Sequence, residues 1–344
     1  MPQKTKNFLW QFTEQLTLLY QSGIPLSQSF GLLAKGKFHE DELAMFTNIE
    51  HNINRGKSLY FSLKRYPEVF PKFYLTLIEL GEVSGRLGDV LQDVSRMLEA
   101  QMELKRKITA ALFYPLTVLC INAFVVFGLL WFIVPQYAGF FAKTPSALPL
   151  ATQVLLSLSA ELHNFWWLNM LFCALVFMGL RHIFKKHKYQ QKMLIKITQI
   201  RGLKALIRLR DLGLLCRNLS LCLKAGLTLT QALNLCAPLS LNPCLHEQVQ
   251  EVILDINRGK GVVAAFKKHE FPALMLQLLK IGETTGYLEA QFLKIANIYD
   301  KELMRLLDKI TRLIEPLMMV VLGGVVGLIM YALYQPLIQL GSLV

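Results

Sequence analysis

At 344 residues the chain is long enough for two or three domains, but 53% hydrophobic residues, 18% charged residues and a mean hydropathy of +0.38 exclude an ordinary soluble protein, which carries about 25% charge. The net charge of +13 suits an anionic membrane surface or an acidic protein partner. Direct nucleic-acid binding is disfavoured, because aromatic interleaving and the standard DNA-binding motifs are missing.

The N-terminus, MPQKTKNFLWQFTEQL, is polar and amphipathic, so no cleavable signal peptide is expected. Residues 1–110 read as a bundle of about six short helices. Phe8 to Tyr20 and Phe73 to Leu80 carry helical apolar spacing, and so do Leu87, Val90, Leu91, Val94, Met97 and Leu98. Gly23-Ile24-Pro25 marks a corner, with Pro25 suited to a first helical position. Arg55-Gly56 reads as a basic last turn followed by a glycine stop. A transmembrane helix is expected at 111–135, inside the charge-free stretch Ile108 to Ala142. An external loop follows at 136–161, then a second span at 162–181, diluted at its start by His163, Asn164 and Asn169. Residues 182–312 read as a second helical bundle, 313–338 as a third span in the charge-free stretch Pro316 to Val344, and 339–344 as an external C-terminus.

The second bundle repeats the first. LYQSGIPLSQSFGLLA (19–34) aligns with CLKAGLTLTQALNLCA (222–237) at a spacing of 203, and INRGK occurs at both 53–57 and 256–260. At a spacing of 201, GEVSGRL (81–87) aligns with GETTGYL (282–288), Phe70-Pro71 with Phe271-Pro272, and Pro115 with Pro316. This is a duplicated domain rather than a solenoid. Two copies on one side of the membrane require an even number of spans between them, which supports the diluted middle span. Basic residues at Lys105-Arg106-Lys107 and at Arg181, Lys185, Lys186 and Lys188 put both copies in the cytoplasm. Ten basic residues and no acid between Arg181 and Arg210 suit anionic lipids or an acidic protein.

The GExxGxL phrase reads as a tight helix–turn–helix corner. Gly81 and Gly282 end a helix in the left-handed conformation, Gly85 and Gly286 precede the next helix, and Glu82 and Glu283 sit near its N-terminus. The glutamates then either cap this corner or face a partner or an ion pair. Arg258-Gly259 repeats the Arg55-Gly56 stop, and Thr228 suits a cap. Gly323, Gly324 and Gly327 give the third span a smooth face for helix packing in a homo-oligomer. HNINRGKS (51–58) mimics a phosphate loop, but His51 replaces its first glycine and no strand precedes it. No catalytic constellation, cofactor site or metal site is expected. His182 and His187 are too awkwardly spaced for a metal pair, and the six cysteines form no CxxC and read as small apolar residues.

From about Phe8 to Pro336 the chain resembles the type II secretion F / type IV pilus assembly platform family of the bacterial inner membrane. The residues carrying the likeness are Gly23 to Phe30, both GExxGxL phrases, Tyr114-Pro115, Val134-Pro135, Leu148-Pro149 with Thr152 in the outer loop, Glu315-Pro316, and Tyr334 with Pro336. Departures are Thr228 in place of a proline, Gln335 in an apolar position, and a start at the first bundle without the N-terminal extension common in pilus members. The resemblance implies an all-α, polytopic, non-enzymatic platform with a cytoplasmic N-terminus and a periplasmic C-terminus. Its implied partners are a hexameric assembly or retraction ATPase, pilins or pseudopilins, and other inner-membrane assembly proteins. The alternatives are a small polytopic transporter, against which stand uncharged span cores and the lack of an inverted repeat, and an unrelated membrane scaffold.

Overall fold

The structure, a computed structural model, describes residues 3–36, 38–141, 149–164, 201–240 and 242–341. All regular structure among these residues is helical. The first module consists of α1 (Gln3–Gln21), α2 (Leu26–Leu33), α3 (Glu40–Asn54), α4 (Leu59–Leu63), α5 (Lys72–Val83) and the start of α6 (Leu87–Gly128). A π turn (Leu129–Ile133), α7 (Val134–Phe141) and α8 (Leu150–Asn164) follow. The second module consists of α9 (Arg201–Lys224), α10 (Leu229–Cys236), a 3₁₀ turn (Ala237–Leu239), α11 (Pro243–Asn257), α12 (Val262–Lys268), α13 (Ala273–Thr285) and the start of α14 (Leu288–Gly341). The helix order of the first module therefore recurs in the second.

The turns recur as well. Every positive-φ glycine among the described residues belongs to a pair, Gly23 with Gly226, Gly56 with Gly259, and Gly85 with Gly286. Short caps complete the joints. Ser58 Oγ accepts from the Phe61 N–H at the start of α4, and Thr228 Oγ1 accepts from the Gln231 N–H at the start of α10. Pro25 stands at the N-cap of α2, one position before the first helical residue. The cores differ while the frame does not. Phe12, fully buried, is ringed by Phe8, Phe30, Phe46 and Phe70 at centroid distances of 5.3–6.1 Å. At the repeat spacing, Phe12, Phe30 and Phe46 give way to buried Leu215, Leu233 and Val249, and only Phe70 keeps its ring, as Phe271. Aliphatic side chains of suitable volume fill the same frame. Cys216, Cys222 and Cys236 are buried in the second core and Cys244 is exposed at the start of α11; all are free thiols.

One compact unit comprises both modules, up to Arg106 and Leu303; the second begins at Lys107 and Met304. Within the first unit, Lys224 Nζ of α9 pairs with Asp93 Oδ2 of α6 at 2.6 Å. In the second unit lie two stretches long and apolar enough to cross a membrane, on helices spanning Leu87–Gly139 and Leu288–Gln335. Each of these helices starts in a module and continues past the boundary into its apolar segment. Exposed Phe113, Leu116, Phe124, Leu317 and Val320 line these segments, as lipid contact requires and water would not favour.

The segment expected as an external loop, 136–161, is helical in part. Its first residues complete α7, and Leu150 onward is helical through Asn164. Thr152, expected in an outer loop, is buried on α8. The apolar–polar mixture LATQVLLSLSAELHN hides a helix whose Leu155 packs with Val134, Ile329, Ala332 and Leu333. Apart from 162–164, which end α8, the expected second span lies outside the described residues, as do His182, His187, Cys173 and most of the basic run from Arg181.

Candidate functional site

The duplicated phrase joins three helices rather than two. Glu82, in the last turn of α5, reaches back to α4. Its Oε1 accepts from the Leu59 N–H at 2.5 Å and its Oε2 from the Tyr60 N–H at 2.8 Å. Glu283 does the same for α12, accepting from the Val262 N–H at 2.6 Å and the Val263 N–H at 3.3 Å. A short helix exposes donors at its start that nothing within it can satisfy, and a carboxylate supplies both acceptors and favourable charge. The glutamates thus sit at a helix N-terminus, but that of the preceding short helix and not of the helix that follows. Glu82→Ala strips two donors of their acceptor and should lower stability by about 1–3 kcal/mol. The more exposed Glu283 should cost less on the same change, and denaturation of each variant measures the difference.

Gly81 and Gly282 correct a second expectation. Neither is left-handed; both lie inside helices, α5 and α13. A Cβ on Gly81 would come within 3.2 Å of Leu87 Cα, and one on Gly282 within 3.2 Å of Leu288 Cα. Their role is close approach to the next helix. The left-handed positions are Gly85, with φ +70°, and Gly286, with φ +79°. Arg55 and Arg258 occupy the C-caps of α3 and α11, followed by left-handed Gly56 and Gly259.

Beside the second stop lies a charge cluster that sequence reasoning missed. Asp255, 1% exposed, accepts from Lys260 Nζ at 2.7 Å and Lys268 Nζ at 3.0 Å, with His269 Nε2 at 3.0 Å and Arg258 Nη1 at 3.8 Å. Side chains of these bases, rather than apolar core, close over it. Lys260 first, then Lys268 and His269, hold its carboxyl well below the usual aspartate range, and Asp255 in turn raises the Lys268 ammonium. A lowered folded pKa means the contribution to stability is full above the unfolded value near 4 and fades as pH falls through the folded value. Asp255→Asn should therefore flatten the loss of stability below about pH 4, read from melting curves against pH. Only the mismatch of Asp255 with Asn52 at the repeat spacing hinted at this cluster.

In the apolar unit the functional geometry centres on prolines. Pro115, Pro135 and Pro336 have no N–H, so each leaves a carbonyl on the preceding turn without its partner. A hydroxyl from a neighbouring helix supplies each one. Thr311 Oγ1 donates to the Ala111 carbonyl at 3.4 Å, four residues before Pro115. Ser159 Oγ donates to the Leu130 carbonyl at 2.7 Å, which in the π turn would have looked to residue 135. Thr152 Oγ1 donates to the Ala332 carbonyl at 2.6 Å, four residues before Pro336. Free polar backbone is tolerated at membrane depth when neighbouring hydroxyls satisfy it. Beside the first of these joints, the repeat-related Tyr114 and Glu315 also meet, hydroxyl to carboxylate at 3.4 Å. Thr152→Val should cost about 1 kcal/mol and loosen α8, seen as faster proteolysis between 141 and 150. The prolines were legible in sequence, but not which hydroxyls serve them. Gly323, Gly324 and Gly327 have nothing within 4 Å of an added Cβ, so no described helix of this chain packs on that face.

Known proteins agree with this layout. The family model for type II secretion system protein F matches residues 12–135 and again 215–336, with limits set apart by the same 203 and 201 residues as the internal repeat. The chain is 31% identical over 338 residues to the type 4 fimbrial assembly protein PilC of Pseudomonas putida, covering 97% of this chain and 84% of that one. It is 29% identical to the HofC homolog of Escherichia coli, a protein transport protein, over 95% of this chain and 82% of that one. It is 27% identical to the type II secretion system protein F of Xanthomonas campestris, over 96% and 82%. With both halves matched in order, the chain belongs to the type II secretion system protein F family.

Proposed function

We propose that the chain is an inner-membrane platform of type IV pilus assembly or type II secretion, which couples a cytoplasmic assembly ATPase to polymerisation of pilins or pseudopilins. The observation that carries this reading is the double match of the family model, one copy per module, each ending in the apolar segment that the module's own long helix enters. A helix that continues from each module into its apolar segment, with its backbone bonds internal, suits transmission of a push or rotation.

In this reading both modules are cytoplasmic, held there by Lys105-Arg106-Lys107 and the basic run after Arg181. Three spans then put the N-terminus in the cytoplasm and the C-terminus in the periplasm. The chain acts as a scaffold without catalysis and assembles as a homo-oligomer, with Gly323, Gly324 and Gly327 as the face left for a second copy. The glutamates of the corners serve the modules' internal geometry. Co-purification from mild detergent tests the coupling. The tagged chain should retain the assembly ATPase encoded with the filament genes. An ATPase that never co-purifies or crosslinks, with the platform intact and folded, would overturn the coupling.

A further inference from the structure

The two modules carry basic residues at the same four positions around their fourth helix and use them differently. Arg55, Lys57, Lys64 and Arg65 correspond at the repeat spacing to Arg258, Lys260, Lys267 and Lys268. In the second module Lys260 and Lys268 converge on the buried carboxylate of Asp255, joined by His269. In the first, Asn52 stands in that place, and its Nδ2 donates to the Asn48 carbonyl at 2.9 Å. The four cations there have no ion pair among the described residues. Lys57 and Arg65 instead lie over the Phe61 ring at 4.7 and 5.2 Å, and Lys64 over the Tyr60 ring at 5.3 Å. Phe61 is 44% exposed. Glu68 is the sole acid from Arg55 to Lys72, and the neighbouring Glu82 is taken up by the Leu59 and Tyr60 N–H groups.

Rings that hold cations in place reduce the ordering cost of binding, and an exposed ring among cations offers apolar contact beside charge. The second module displays what this set of bases grips, namely a carboxylate. We propose that the α4 face of the first module is a docking surface for an acidic segment of a protein partner, and that Asp255 is a built-in carboxylate that closes the equivalent face of the second. A protein segment fits better than lipid headgroups. Glu82 ties α4 to the last turn of α5, whose Gly81 abuts Leu87 at the start of α6, and from Leu87 to Arg106 roughly 30 Å of helix separates that corner from the point where the chain leaves the unit. A duplicated platform thereby becomes one-sided, with one module open to an acidic partner and the other shut.

The test uses the full chain in nanodiscs of zwitterionic lipid, with a short fluorescein-labelled Glu/Phe peptide followed by anisotropy. The wild type should bind at one site per chain, more weakly as salt rises. Lys57→Gln with Arg65→Gln, both exposed, should weaken binding at least about fivefold. Asp255→Asn should raise the stoichiometry toward two. Absence of saturable binding to a folded wild type would overturn the proposal. So would equal affinity in the Lys57/Arg65 variant, or an unchanged stoichiometry in a folded Asp255→Asn. If that double variant instead loses only binding to phosphatidylglycerol vesicles, the occupant is lipid and the proposal is wrong. The measurement is made on purified protein, so failure of the platform reading would show elsewhere, in filament assembly.

Discussion

Replacing Phe12 by alanine should lower the stability of the first module by about 3–5 kcal/mol, the largest effect expected of any single truncation here. The ring is fully buried and touches Phe8, Phe30, Phe46 and Phe70. Removing it loses apolar burial and edge-to-face contacts, and leaves a void that rigid neighbouring rings cannot close. Leu215 is its counterpart in the second module, where two of the rings around Phe12 are replaced at the repeat spacing by buried Leu233 and Val249, which collapse more readily. Leu215→Ala should therefore cost less, about 2–4 kcal/mol. Chemical denaturation of the full chain in detergent, with proteolysis reporting which module opens, measures both. Equal losses would show that aromatic packing adds nothing to the first core.

Gly282→Leu should cost about 1–3 kcal/mol or more, and Gly81→Leu about as much. The added Cβ of either meets the backbone of the next helix within 3.2 Å, at Leu288 Cα or Leu87 Cα, and backbone cannot swing aside as a side-chain tip can. The corner would open, and with it the joint between each module's last two helices. Gly85→Val should also destabilise, by about 1–3 kcal/mol, for a different reason: its φ of +70° is strained for a branched residue. Gly323→Leu is the contrast, since nothing in the described chain lies near it and the monomer should keep its stability. Melting temperatures of the four variants rank them, and a Gly282→Leu protein as stable as Gly323→Leu would contradict the close-approach role.

The duplication was legible because it is written in residues that cannot be exchanged freely. Left-handed glycines recur at fixed spacing since other residues are strained there, and the apolar segments are marked by the absence of charge over their whole length. Less visible was anything that depends on where a side chain reaches. Glu82 lies near Gly85 in sequence, so a local cap was the natural reading, yet its acceptors serve α4, more than twenty residues earlier. Gly81 looked like a helix stop because glycine often is one; the crowding against Leu87 that calls for it arises only once α5 and α6 pack. The segment around Thr152 follows one expected span and precedes the next, so its place in the chain suggests an outer loop. The hydroxyls of Thr152 and Ser159 in fact answer carbonyls freed by Pro135 and Pro336, on helices that sequence alone does not bring beside it.

One measurement bears on the central claim more directly than any stability value. In the native host, the gene for this chain is deleted, and filaments are counted by electron microscopy while sheared and membrane-bound pilin or pseudopilin are quantified. A platform predicts loss of filaments, with the subunits processed and accumulating in the inner membrane, and restoration by the wild-type chain. Filaments and secreted proteins at wild-type levels in the deletion strain would contradict it.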